Sequence, residues 1–224
     1  MKTFVISLGG SLVVPDKVDT NYLKKFSTIL NSLTKKNYRF IIVTGGGSVA
    51  RKYIDALRKN KGDELVCSYA GIAVTKLNAL LTANYLKTKS PVPNKLEEIK
   101  SLIKKHKIVV VGGFKPFMTS DGDAADIAKL LKAKALINLT NIDGLYDKDP
   151  KLKNAKLIPQ ISLKDFLVIM NKIGHKAGQH FVLDLEAARV CYKNKIQVCI
   201  LDGKKLSNFK NCLENKAFKG TVIY

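Results

Sequence analysis

The chain has 224 residues, 46% of them hydrophobic, which suits one large globular domain or a two-lobed α/β unit and excludes a low-complexity or extended chain. Its formal net charge of +21 comes almost wholly from lysine, the arginines being Arg39, Arg51, Arg58 and Arg189. The lysines are scattered over the predicted helices without aromatic interleaving, which argues against a nucleic-acid reader built on arginine forks and stacked rings; their field would instead draw small phosphorylated anions into a cleft.

No apolar run approaches the ~20 residues of a bilayer span, so no membrane partner is expected. The N-terminus, MKTFVISLGGSL, reads as a first strand rather than a signal peptide, and the expected setting is cytoplasmic. Cys67, Cys191, Cys199 and Cys212 form no CxxC pair and read as reduced, mostly buried thiols.

Thr3–Leu8 (TFVISL) predicts a buried strand ending in Gly9-Gly10-Ser11. Asn21–Leu33 sets Leu23, Phe26, Ile29, Leu30 and Leu33 at helical spacing. Arg39–Thr44 (RFIIVT) predicts the second strand, followed by Gly45-Gly46-Gly47 and a helix from Ser48 that carries Arg51. After a polar turn at Lys59–Asp63, a long helix runs over Glu64–Leu86 with Gly71 near its middle, and Leu96–Lys104 forms a short amphipathic helix. Ile108–Val111 predicts a strand that breaks at Gly112-Gly113, and a helix opens near Thr119-Ser120-Asp121. Ala135–Leu139 predicts the next strand, stopping at Thr140-Asn141. Beyond Pro150, a natural lobe boundary, Ser162–Lys172 predicts a helix with Ser162 as N-cap, and Gly174–His180 a loop. Leu183–Tyr192 and Leu206–Leu213 predict helices, while Ile196–Leu201 and Gly220–Ile223 predict strands. Strands alternating with helices imply a mostly parallel sheet covered on both faces.

Three strand ends carry glycines: Gly9-Gly10, Gly45-Gly46-Gly47 and Gly112-Gly113. Glycine lets backbone N–H groups approach an anion, and a following helix adds its partial positive charge. None of the three fits GxxxxGK[ST] or GxGxxG, so the pattern points to a phosphate handler outside those groups. Arg51, one turn past Gly47, is placed to brace a phosphate, against the plainer reading of a surface arginine. Ser120 with Asp123 fits a capping box, and Asp123 and Asp126 read as cap and helix-surface residues. Asp121 is left as a carboxylate free to orient lysines or hold Mg2+ through water. In the loop TNIDGLYDKDP (140–150), Asp143-Gly144 reads as a turn, and Tyr146 either stacks on an adenine or packs on the core. His106, His175 and His180 lack the spacing of a metal site. Asn138-Leu139-Thr140 matches a glycosylation sequon but falls in a predicted buried strand and is set aside.

VTGGGSVARKYI (43–54), GGFKPFMTSD (112–121), TNIDGLYDKDP (140–150), Ala177-Gly178 and the terminal GTVI, in this order over nearly the whole chain, resemble the amino acid kinase family and its archaeal-type uridylate kinase branch. The resemblance implies a three-layer αβα sandwich with a mostly parallel central sheet, as one domain over 1–224. Its acceptor lobe would span roughly residues 1–134 and its ATP lobe roughly 135–224. It implies transfer of the γ-phosphoryl of ATP, with Mg2+, to UMP in pyrimidine nucleotide biosynthesis, by a homo-oligomer that is a hexamer in the family. By position, Asp121 would be the catalytic aspartate, with Gly10, Ser11 and Arg51 around the transferring phosphates. Gly9, Gly10, Ser11, Gly47, Arg51, Thr140, Asn141, Tyr146 and Asp149 would hold ATP. Gly46, Ser68, Phe114, Lys115, Pro116, Phe117, Met118, Thr119 and Ser120 would hold the acceptor.

Two positions depart from the family pattern. Many members carry a lysine two residues before the first Gly-Gly, where this chain has Ser7. The aspartate that usually holds the acceptor ribose is here Ser68, whose hydroxyl lacks charge assistance. The alternatives are another small phosphate or carboxylate acceptor, such as isopentenyl phosphate, and a nucleotide-binding relative without turnover.

Overall fold

The computed structural model describes residues 1–173 and 182–224; the loop expected at Gly174–His180, with His175, His180 and Ala177-Gly178, lies outside the described residues. The chain runs β1 (Lys2–Leu8), α1 (Gly10–Val13), α2 (Thr20–Thr34), β2 (Tyr38–Thr44), α3 (Gly47–Lys59), α4 (Glu64–Tyr85), α5 (Glu98–Lys105) and β3 (Ile108–Val111). It continues through α6 (Ser120–Leu131), β4 (Ala135–Thr140), β5 (Gln160–Ile161), α7 (Leu163–Ile173), α8 (Leu185–Asn194), β6 (Val198–Asp202), α9 (Leu206–Leu213) and β7 (Thr221–Ile223). The strands form one sheet in the order β3-β2-β1-β4-β6-β7-β5.

The apolar runs make this sheet because both of their faces are buried. Phe4, Ile6 and Leu8 of β1 face one core with α2, part of α4 and α9, while Val5 faces a second core with α5, α6, α7 and α8. Phe40 and Ile42 against Ile41 and Val43, and Ile137 and Leu139 against Leu136, divide in the same way. That alternation is the period of two expected of a strand covered on both sides, and it makes three layers. β1, β2, β3, β4 and β6 pair in parallel. β7 returns antiparallel beside β6, so the far edge is mixed. Two elements escaped the sequence: α1 is a single helical turn and β5 a two-residue strand, both too short to show a period.

Helix α4 is long enough and apolar enough, by length and composition alone, to cross a membrane. Two of its polar side chains nevertheless point into the fold. Asn78 donates to the Gly45 carbonyl at 2.8 Å, and Thr75 Oγ1 accepts from the Gly113 N–H at 2.7 Å. These contacts tie α4 to the ends of β2 and β3. Asn138, the sequon residue, is buried and donates to the Val182 carbonyl at 2.6 Å. All four cysteines are buried and free.

The sheet order reverses at β1, with β2 on one side and β4 on the other. In an open α/β sheet, the carboxyl ends at such a reversal leave a crevice. Gly9-Gly10, Gly45-Gly47 and Thr140 all stand there.

Candidate active site

The first two glycine loops interlock. A Cβ on Gly10 would lie 2.4 Å from the Gly45 carbonyl oxygen and 2.5 Å from the Gly47 nitrogen. Gly47 has φ +63°, and a Cβ there would lie 2.5 Å from both the Gly10 carbonyl carbon and the Ser11 nitrogen. Backbone meets backbone, which only glycine permits. The loop after β2 leads directly into α3, so Arg51 stands one turn from Gly47 and its guanidinium reaches Ser11 Oγ at 3.5 Å.

A cavity of about 310 Å³ opens between α3, α4 and the segment after β3. Of the residues expected around an acceptor, Gly46, Ser68, Lys115, Met118 and Ser120 line it, together with Gly47 and Arg51. Phe117 does not: its ring is 72% exposed and its backbone sits at φ +62°. Ser68 Oγ accepts the Phe117 N–H at 3.1 Å, so the serine already holds this turn in place. Phe114, Pro116 and Thr119 belong to the same segment but not to the cavity lining.

Helix α6 opens one residue earlier than the capping-box reading places it. Thr119, not Ser120, is the N-cap, its hydroxyl oxygen accepting from the Gly122 N–H at 3.0 Å. The Thr119 hydroxyl also donates to Asp184, which caps α8 by accepting from the Ala187 N–H at 2.8 Å. Both residues are good caps. The contact with Asp184 selects Thr119 and releases Ser120 into the cavity. At the start of α7 the expected cap holds: Ser162 Oγ accepts from Asp165 N at 3.0 Å.

Asp121 then points toward β1, where the Ser7 hydroxyl donates to its Oδ1 at 2.7 Å. Asp121 lies deep in the protein yet is not wholly buried. Burial pushes its carboxyl up to about 6, the Ser7 hydrogen bond pulls it down, and the nearby Asp184 pushes it up. Asp123, expected as the capping-box partner of Ser120, does not cap the helix, since Thr119 is the N-cap. It is buried, lines the cavity, and accepts a long 3.4 Å hydrogen bond from Phe114 N. Burial pushes its carboxyl up to about 7.

The residues expected to hold ATP fall into two groups. Gly9, Gly10, Ser11, Gly47 and Arg51 gather at the interlocked loops. Thr140 ends β4 beside Asp202 of β6, with Asn141 next to it and exposed. Tyr146 bridges to Leu157 and donates to Asp143 at 3.5 Å, and Asp149, exposed, accepts from Lys151 N at 2.9 Å. Asp143 went unmarked beyond a turn. It pairs with Lys205 and Lys219, each at 2.7 Å. Burial raises its carboxyl, but the two ammonium groups outweigh that and hold it below the usual carboxylate range. Both lysines come from beyond β6, so no local pattern could have tied them to Asp143.

The amino acid kinase family model matches residues 2–202. A protein named uridylate kinase from Thermoplasma volcanium is 37% identical over 99% of this chain and 97% of its own. The crystal structure of uridylate kinase from Archaeoglobus fulgidus superposes with a TM-score of 0.87 at 34% identity, covering 100% of both chains. UMP kinase from Ureaplasma parvum shares the fold alone, with a TM-score of 0.82 at 23% identity, over 99% of this chain and 98% of that one. With its sheet, crevice and glycine loops in this arrangement, and matched over most of its length, the chain belongs to the amino acid kinase family.

Proposed function

We propose that this protein transfers the γ-phosphoryl of ATP to UMP, giving ADP and UDP, in pyrimidine nucleotide biosynthesis. The observation that carries the reading is the near full-length likeness, at 31% to 37% identity, to proteins named uridylate kinase. The geometry is consistent with the chemistry such a reaction needs. The attacking group is a phosphate oxygen that is already anionic, so no general base is required. The barrier lies in bringing two anions together in line.

The acceptor phosphate would sit at Gly46, with Gly47 and Arg51 between it and the ATP phosphates, and the rest of UMP would occupy the cavity between Ser68 and Ser120. ATP would lie over Gly9-Gly10-Ser11 and the ends of β4 and β6. Ser7 brings no positive charge to the crevice, so the charge is met by Arg51, Lys115 and the backbone amides of the interlocked loops. Among the described residues no group of three or more His, Cys, Asp or Glu could cage a metal. Mg2+ therefore fits as an ion carried on ATP phosphates, with Asp121 as the carboxylate that meets its water shell. Bound there, it would neutralise charge on the phosphate oxygens.

The same reading carries an acceptor lobe of roughly residues 1–134, an ATP lobe of roughly 135–224, and a cytoplasmic homo-oligomer, a hexamer as in the family. Leu65, Tyr69, Leu77 and Leu80, apolar side chains that α4 leaves exposed, support self-association.

The test is ADP release with Mg2+-ATP against UMP, CMP, isopentenyl phosphate and acetylglutamate. Turnover with UMP is the expected result; turnover with another acceptor alone, or ATP binding without any turnover, would overturn it. Arg51→Ala is expected to lower kcat/KM for UMP by roughly 10- to 1000-fold with little change in folding, since the guanidinium is exposed. Unchanged kinetics in that variant would remove Arg51 from the phosphate site. Asp121 works ionised, so kcat/KM, which reports the free enzyme, should fall as pH drops through about 6. A flat profile down to about pH 5 would contradict that role.

A further inference from the structure

One side chain in the cavity wall is not used by the chemistry above. Asp123 is only 4% exposed, yet it lines the cavity, and its Oδ2 lies 3.5 Å from where a Cβ on Gly113 would be. Its carboxylate's sole hydrogen bond among the described residues is the long one from Phe114 N, at 3.4 Å. No salt bridge reaches it among them.

The charged groups around it are Lys115 on the segment after β3, Asp126 on its own helix, and Arg51, Arg58 and Glu64 across the cavity. Arg58 is committed to Glu64 through two hydrogen bonds of 2.8 Å. Asp123 thus keeps acceptor capacity that no other described side chain in the cavity wall satisfies. An anion also divides the pocket. A phosphate is drawn to the glycine amides and Arg51, and the part of the ligand that meets Asp123 must present an N–H or O–H.

We propose that Asp123 is a specificity-determining residue whose carboxylate accepts the ring imide N–H of the acceptor's pyrimidine, selecting uracil over cytosine. Cytosine presents a lone pair at that ring position, which a carboxylate repels, so the site discriminates by an unpaired polar contact as well as by a favourable one. This inference rests on the UMP reading and names the residue that would enforce it.

The experiment compares kcat/KM for UMP, CMP and dUMP in the wild-type full chain and in Asp123→Asn, at about pH 8.5, where the carboxyl is ionised. Melting temperature and ATP affinity serve as folding controls. The wild type should prefer UMP to CMP by ~100-fold or more. In Asp123→Asn the CMP to UMP ratio should rise by at least about 10-fold, because an amide can turn its NH2 toward the cytosine ring nitrogen, with the dUMP to UMP ratio unchanged.

An unchanged CMP to UMP ratio in the folded variant overturns the assignment. A shift confined to dUMP also overturns it, because the partner would then be a sugar hydroxyl. If Asp123→Asn does not fold, 3-methyl-UMP tests the wild type directly: it lacks the N–H and should bind at least ~10-fold more weakly than UMP, and equal binding overturns the assignment. Failure of UMP turnover in the wild type is a distinct result, which removes the proposed function itself.

Discussion

Asp121→Asn is expected to lower kcat by roughly 1000-fold or more while raising the melting temperature. The two effects have one cause. Burial holds the Asp121 carboxyl at about 6, above its ordinary 3.8, so keeping it ionised at neutral pH costs the fold on the order of 3 kcal/mol. Its folded pKa is raised, so the protonated carboxyl is favoured by the fold, and that stability is lost as pH climbs through about 6. Asparagine keeps an oxygen to accept the Ser7 hydroxyl but carries no charge, so the cost disappears. For a chain of this size the gain corresponds to several degrees in Tm. On the role proposed for Asp121, turnover should collapse, because the charge that would organise the cation on the phosphates is gone. Calorimetry and ADP release on one preparation check both halves. Loss of stability together with activity would make Asp121 a structural residue, and normal turnover would refute its place at the centre.

Gly47→Ala should damage the fold as well as the site. At φ +63° an alanine is strained by about 1–2 kcal/mol, and its Cβ would also fall 2.5 Å from the Gly10 backbone. Gly10 cannot yield, because it is itself pressed against Gly45 and Gly47. The expected loss is at least about 3 kcal/mol, read as a lower denaturant midpoint, with turnover gone in whatever fraction folds. A well-folded, active Gly47→Ala would show that the two loops do not need to interlock.

The strands and their layers were legible in the sequence because each apolar run is buried on both faces, a signal carried by four to seven residues. The glycine loops were legible for a similar reason: close backbone approach leaves a mark in composition. The register of α6 was not. Thr119 and Ser120 are adjacent and chemically equivalent as caps, and the choice between them is made by Asp184, far along the chain. A shift of one residue also separates an exposed Asp123 from a buried one, since a helix turns by about 100° per residue. The contact between Ser7 and Asp121 joins positions 114 residues apart, and only the packing of the start of α6 against the end of β1 brings them together. The Ser7 hydroxyl donates to the aspartate and holds its orientation.

The lysine pair on Asp143 illustrates the same limit on the ATP side. The loop after β4 was marked by its turn residues, but its electrostatics come from Lys205 and Lys219, which reach it only once β6 and β7 are in the sheet.

The central claim is phosphoryl transfer between two bound nucleotides, and it is tested most directly by following the labelled phosphate. Incubated with Mg2+, UMP and ATP labelled at the γ-phosphate, the protein should move the label to the β-phosphate of UDP in step with ADP formation. Label recovered only as inorganic phosphate, or left on ATP after many hours with saturating UMP, would contradict the account.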